Sequence, residues 1–308
     1  MQQTDKRTLI DKINKLKKEK NAIILAHCYQ NVEVDEVADF VGDSLGLSQL
    51  AAKTDAKIIV FLGVTFMAET AKILSPDKKV LIPSLNAGCD MADMVNLEQL
   101  REFKAKYPNV PAVCYVNSTA EVKSEVDICC TSSNAINVVK SLNAKKVLFL
   151  PDENLGNWVA KNLPEVEIVT YNGCCPIHKS ITTQEIKDLK QKYPNAKVLI
   201  HPECTAEVLA LGDFIGSTTQ IMKYIKDNNY NSYIIVTEKG VVDRLQRDYP
   251  QKEFILVSPK AYCPNMKRNC LEDVLRALEN EEHEIFVDKD IAKKALLPIE
   301  RMVSTEKN

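Results

Sequence analysis

No apolar run in this 308-residue chain approaches the length a bilayer demands: Ile58–Leu62 stops after five residues, against about 20 for a spanning helix. Neither charge is in surplus, and a formal net charge of −2 argues against nucleic acid or an anionic membrane as the main partner. There is no Cys-x-x-Cys pair, which weighs against a zinc ribbon or a thioredoxin-type site. The Lys-rich N-terminal stretch has no apolar core or cleavage site, so no secretory signal is expected. Ten cysteines in that context point to reduced thiols in the cytosol, not to a disulfide framework.

What is present is ordinary in bulk and unusual in arrangement. Hydrophobic residues at 45% and charged residues at 27% describe a globular chain, long enough for one large core or several small ones. Short apolar, β-branched runs alternate with helical spacing. Thr8 to Lys20 reads as an amphipathic surface helix and Ala22 to Ala26 as a buried strand. Val34 to Lys53 is helical in pattern with a break at Gly42-Asp43-Ser44, and Glu167 to Thr170 reads as a buried strand ahead of a loop carrying Cys174 and Cys175. A further short strand is expected near Ile285 to Val287.

The cysteines Cys89, Cys175 and Cys263 stand in similar loops after strands, at intervals of 86 and 88 residues. Asp39, Asp127 and Asp213 recur at 88 and 86 residues, and each precedes a hydroxyl by five positions: Ser44, Ser132 and Thr218. The strand-end residues His27, Asn117 and His201 fall in nearly the same phase. One unit thus occurs three times. The expected fold is α/β: three pseudo-threefold-related, three-layer αβα units with parallel sheets around a central active site. The expected bounds are 1–91 (completed by 271–308), 92–177 and 178–270.

Ligand sites of parallel sheets lie beyond the carboxyl ends of the strands, where every anchor falls. Three thiolates without an obvious fourth partner favour an iron–sulfur cluster over zinc, and on four irons they leave one iron open as a Lewis acid. The hydroxyls are placed to cap helix N-termini that face anions, and His27 and His201 add donors. Two residues past the strand ends stand Tyr29, Thr119 and Glu203, of which Tyr29 and Glu203 are proton-transfer groups. Burial in a closed cavity would raise the pKa of Glu203.

Seven motifs occur in order between Leu25 and Met266: Ala26-His27-Cys28-Tyr29-Gln30, Val41-Gly42-Asp43-Ser44, Tyr115-Val116-Asn117, Gly173-x-Cys175-x-x-His178, His201-Pro202-Glu203-Cys204, Gly216-Ser217-Thr218 and Cys263-Pro264-x-Met266. In these the chain resembles the quinolinate synthase A family. It departs from members with extra cysteines before the last ligand, having Ala261 and Tyr262 there. The resemblance implies a [4Fe–4S] cluster on Cys89, Cys175 and Cys263. It implies condensation of iminoaspartate with dihydroxyacetone phosphate to quinolinate, phosphate and water, on the route to NAD. It puts His27, Ser44, Tyr115, Val116, Asn117, Ser132, His178, His201, Pro202, Glu203 and Thr218 at the substrate, with Tyr29 and Glu203 catalytic. It also allows transient contact with an L-aspartate oxidase. Two other readings stay open: an iron–sulfur hydro-lyase for a small carboxylic acid, and a non-catalytic iron–sulfur sensor.

Overall fold

A computed structural model describes residues 3–307. Three four-stranded sheets, all parallel, follow one another along the chain. The first holds β1 (Ala22–His27), β2 (Phe40–Gly42), β3 (Ile58–Leu62) and β4 (Lys79–Leu81) in the order β2-β1-β3-β4. The second repeats it as β6-β5-β7-β8, with β5 Ala112–Tyr115, β6 Ile128–Cys130, β7 Lys146–Leu150 and β8 Glu167–Thr170. The third is β10-β9-β11-β12, with β9 Lys197–Ile200, β10 Phe214–Ile215, β11 Ser232–Val236 and β12 Glu253–Leu256. Helices cover the sheets, so inner strands are apolar throughout: all five residues of β3 are buried. The result is a triplicated αβα architecture.

The repeated aspartates act within the sheets. Asp39 Oδ2 accepts from the Ile24 N–H, Asp127 Oδ2 from Ala112 and Asp213 Oδ2 from Val198, each at 2.8 Å. The same aspartates donate their own N–H groups to the carbonyls of Ile24, Ala112 and Val198. Each carboxylate therefore clips the short strand that follows it to its neighbour.

Several expectations change at this level. The segment read as one interrupted helix from Val34 to Lys53 is a 3₁₀ turn at Val32–Glu36, the strand β2 and a helix at Ser44–Lys53. β8 is an edge strand with Glu167 exposed and the rest half-buried, because among the described residues no strand pairs beyond it. In place of a strand at Ile285 to Val287 there is a single antiparallel bridge between Glu284 and Leu81. The three-residue β4 offers a short edge, and the chain then leaves for its last helix.

Two C-terminal helices close the molecule. Leu271–Asn280 packs on the first helix, Gln3–Glu19, and its Leu271, Val274 and Leu278 share a core with β1 and β3. Lys289–Ser304 lies across two sheets, against β6 and the helix Ala120–Lys123 on one side and the helices Ser44–Lys53 and Thr65–Leu74 on the other. Where the units meet, Ser133 Oγ donates to Asp43 Oδ2 at 2.6 Å and lies 2.9 Å from Ser217 Oγ. Three residues, one from each unit, form one buried knot.

Candidate active site

The strand ends of all three sheets open into one cavity. His27 and Tyr29, Tyr115 and Asn117, and His201 and Glu203 line it, two from each unit. Ser44, Ser132 and Thr218 line it too, as do Cys89, Cys175, Cys263 and His178. Val116 and Pro202 are buried but are not among the lining residues, and the Val116 N–H is held by the Cys130 carbonyl at 2.8 Å.

The hydroxyls do not cap the helices. Asp43 caps Ser44–Lys53 by accepting from the Gly46 N–H, and Ser217 caps Thr218–Asp227 by accepting from Gln220. Ser44 and Thr218 are first helical residues, and Ser132 precedes the helix Ala135–Ser141. In the second unit the Thr131 N–H and hydroxyl both bond Asn134 Oδ1. In the first and third units capping is thus done by the preceding residue, which leaves Ser44 and Thr218 for the cavity, and Ser132 lines it as well.

Two histidines are held alike. His27 Nδ1 accepts the Tyr29 N–H at 3.1 Å, and His201 Nδ1 accepts the Glu203 N–H at 3.4 Å. An accepting Nδ1 fixes the proton on Nε2. Burial lowers His27 to about 3 and His201 to about 4, so both are neutral donors near neutral pH. The third strand-end residue, Asn117, has a buried Oδ1 with no partner, an acceptor awaiting a donor.

A continuous hydrogen-bonded chain links the two proton-transfer candidates. The Tyr29 hydroxyl is 2.8 Å from Thr237 Oγ1, which is 2.9 Å from His178 Nε2. His178 Nδ1 is 2.7 Å from Glu203 Oε2, and Glu203 Oε1 accepts from the Tyr115 hydroxyl at 2.5 Å. A carboxylate carries no proton, so Nδ1–H donates to it and Nε2 accepts from Thr237. Burial alone would raise Glu203, but His178, His201 and the Tyr115 donor outweigh it and hold the carboxyl below the usual carboxylate range. This reverses the expectation from burial. Because His201 is itself neutral, the direction rests chiefly on the two direct hydrogen bonds.

Each cavity cysteine begins a short helical turn whose N–H groups point back at its sulfur. Met91 and Ala92 donate to Cys89, His178 to Cys175, and Asn265 and Met266 to Cys263. Burial nevertheless pushes Cys89 up to about 12 and raises Cys175 and Cys263. Asp152 accepts the Cys175 N–H at 3.2 Å, and Glu238 accepts the Cys263 N–H at 3.1 Å. These two acids and Thr237 were missed in the sequence, although Asp152 and Glu238 repeat at the period of the cysteines. Among the described residues, the compact group able to hold a single metal ion is Cys175, His178 and Glu203, with donor atoms within 4.8 Å of one another. It contains one of the three expected cysteines. One ion gathers its donors tightly; Cys89 and Cys263 line the same cavity but do not belong to this compact group. No helix among the described residues is long and apolar enough to cross a membrane.

A family profile described as quinolinate synthetase A protein matches residues 11–304. A quinolinate synthase of Alkaliphilus metalliredigens (strain QYMF) is 54% identical over 295 residues, which cover 96% of this chain and 97% of that protein. One of Aquifex aeolicus (strain VF5) is 50% identical, covering 94% and 92%. One of Sulfurihydrogenibium sp. (strain YO3AOP1) is 48% identical, covering 96% and 98%. With the profile spanning nearly the whole described chain and relatives matched along almost their full length, the chain belongs to the quinolinate synthetase A family.

Proposed function

We propose that the chain is a quinolinate synthase that condenses iminoaspartate with dihydroxyacetone phosphate, releasing quinolinate, phosphate and water, in the cytosolic route to NAD. Family membership makes it an enzyme that forms a carbon–carbon bond. The observation that carries the substrate assignment is the cavity wall, where neutral donors, hydroxyls and one orphaned acceptor converge from three units. Two carboxylates and a phosphate match that donor-rich wall. The repeat bounds 1–91 with 271–308, 92–177 and 178–270 fit a site assembled from all three units. Iminoaspartate reaches it from solution or from an L-aspartate oxidase in transient contact.

The residues present fit a [4Fe–4S] cluster held by Cys89, Cys175 and Cys263. Their sulfurs face one cavity and already accept main-chain N–H bonds, the donors that stabilise thiolates. Thiols pushed up by burial ionise when a cationic iron centre supplies the compensating charge. Separate irons also space their ligands more widely than one ion does, consistent with Cys89 and Cys263 lying outside the compact group. When bound, the cluster supplies an open iron as a Lewis acid for a substrate oxygen.

The chain's own residues do the rest. His27 and His201 each present Nε2–H, and Ser44, Ser132 and Thr218 offer hydroxyls to the anionic groups. Asn117 Oδ1 accepts from a substrate N–H or O–H. Tyr115 fixes the carboxylate of Glu203. Tyr29 and Glu203 move protons as two ends of one relay through Thr237 and His178. Anaerobic turnover decides the matter: quinolinate should form from iminoaspartate and the triose phosphate. Hydration or dehydration of simple hydroxy acids without quinolinate would replace this reading with a hydro-lyase.

A further inference from the structure

Tyr29 belongs to the first unit by sequence and to the third by contact. Three successive carbonyls of its loop accept from two buried cations of the third unit. Arg244 Nη1 donates to the Cys28 carbonyl at 2.7 Å and to that of Gln30 at 2.8 Å, and Lys267 Nζ donates to the Tyr29 carbonyl between them. Asp35, which follows the loop in the first unit, accepts from the Arg244 guanidinium. Gly240 makes the approach feasible, since a Cβ there would stand 2.9 Å from Tyr29 Cα and 2.8 Å from Lys267 Nζ. The side chain is fastened to the same unit through Thr237.

Lys267 has a second partner. Its Nζ is 3.0 Å from Glu238 Oε2, which also accepts the Gly240 N–H at 2.6 Å. The other oxygen, Oε1, accepts the Cys263 N–H. Glu238 is 1% exposed, so this pair is held away from water and its geometry is tight. The connection runs without a gap from the Cys263 main chain through Glu238 and Lys267 to the Tyr29 main chain. The corresponding acid of the second unit, Asp152, holds Cys175 in the same manner, and among the described residues its side chain accepts from the Leu155 and Cys175 N–H groups rather than from a lysine.

We propose that Glu238 and Lys267 are positioning residues that set Tyr29 by the seating of Cys263, so that the proton-transfer hydroxyl is in register only when the third cysteine loop is in place. The inference rests on the reading of Tyr29 as a proton-transfer group, and on Cys263 as a cluster ligand. Chemically, the pair is a strut between the metal-binding loop of one unit and the acid–base loop of another. Glu238 itself lines the cavity, whereas Lys267 is not among its lining residues.

The test compares wild type with Lys267→Met and with the charge-matched double variant Glu238→Gln/Lys267→Met, which keeps an acceptor for Cys263 and leaves no lone buried charge. Anaerobic protein should keep its iron and its substrate-induced change in the cluster spectrum in the double variant. Hydrogen exchange of the backbone amides of residues 27–31 should rise tenfold or more, and turnover should fall about 10²-fold. Adding Tyr29→Phe to the double variant should slow turnover no further than Tyr29→Phe alone, because both changes disable one group. Removing iron from wild type should loosen residues 27–31, and removing it from the double variant should add nothing. Unchanged exchange, or losses that multiply with Tyr29→Phe, would overturn the proposal. Normal turnover in Tyr29→Phe alone would sink the proton-transfer reading instead, while the exchange measurement still decides whether the strut exists. If Lys267→Met fails to fold, the double variant and Lys267→Arg, expected to restore protection, carry the same comparison.

Discussion

Replacing Glu203 by glutamine separates binding from proton transfer. The carboxylate takes one hydrogen bond from the Tyr115 hydroxyl and one from His178, both inside a cavity where Glu203 is 4% exposed. Glutamine keeps the shape and one acceptor oxygen. If that oxygen faces Tyr115, the new NH₂ meets His178 Nδ1, which must then accept while Nε2–H donates to Thr237. The network can be re-satisfied by shifting one tautomer, so the loss is that of a charge-assisted bond becoming neutral, about 1–2 kcal/mol. For a chain of this size that is a fall in melting temperature of only a few degrees. What glutamine cannot do is exchange a proton, and that loss is worth roughly 10²–10⁴-fold in turnover. The assay is quinolinate formed anaerobically by protein with its full iron content, beside substrate binding read from the cluster spectrum. Binding within a few-fold of wild type and turnover down at least a hundredfold is expected. Near-normal turnover would show that Glu203 only orients Tyr115 and His178, and the relay would lose its terminal base.

Serine in place of Cys89, Cys175 or Cys263 should each abolish the roughly four irons per chain expected of a [4Fe–4S] protein, whereas Cys174→Ser and Cys270→Ser should keep them; iron retained by Cys175→Ser but lost by Cys174→Ser would refute the ligand set. Asp127→Ala strips the Ala112 N–H of its partner in the second sheet. It should cost about 1–3 kcal/mol, with Asp127→Asn costing less; equal melting curves for wild type and Asp127→Ala would refute the clip. His27 and His201, lowered by burial to about 3 and about 4 from 6.5, take up protons more readily when unfolded. Their contribution to stability should therefore be level above about pH 6.5 and be lost progressively from pH 6.5 down through about pH 4, seen as a lower denaturant midpoint; a midpoint that rises on acidification would contradict the buried, neutral state of both rings.

The triplication was legible because each copy had to solve the same problem of holding a short strand and opening a strand end. Asp39, Asp127 and Asp213 kept their spacing since each closes the same pair of hydrogen bonds. The strands those aspartates clip were not legible. β2, β6 and β10 are two or three residues long, too short for any alternation, and Val34, Val37 and Val41 mimic a helical stripe across β2. Asp152 and Glu238 hid because the first unit has Val64 in that place and the two acids differ in length. Thr237 stands where the other copies have Gly63 and Pro151, so repetition gave it no support. Arg244 and Lys267 act between units, and no pattern within one copy encodes a side chain reaching across to another.

The drawing of one cysteine from each unit also sets a timetable for biogenesis. A ribosome adding roughly 5–20 residues per second needs several seconds between Cys89 and Cys175, and as long again to Cys263. The helix Lys289–Ser304 that wedges two sheets together is made later still. While the chain is nascent, its first thiols have neither their partners nor the walls that later bury them. Any inorganic centre that needs all three can be inserted only after most of the polypeptide has left the ribosome, and oxidation during that interval would forfeit the site before it ever formed.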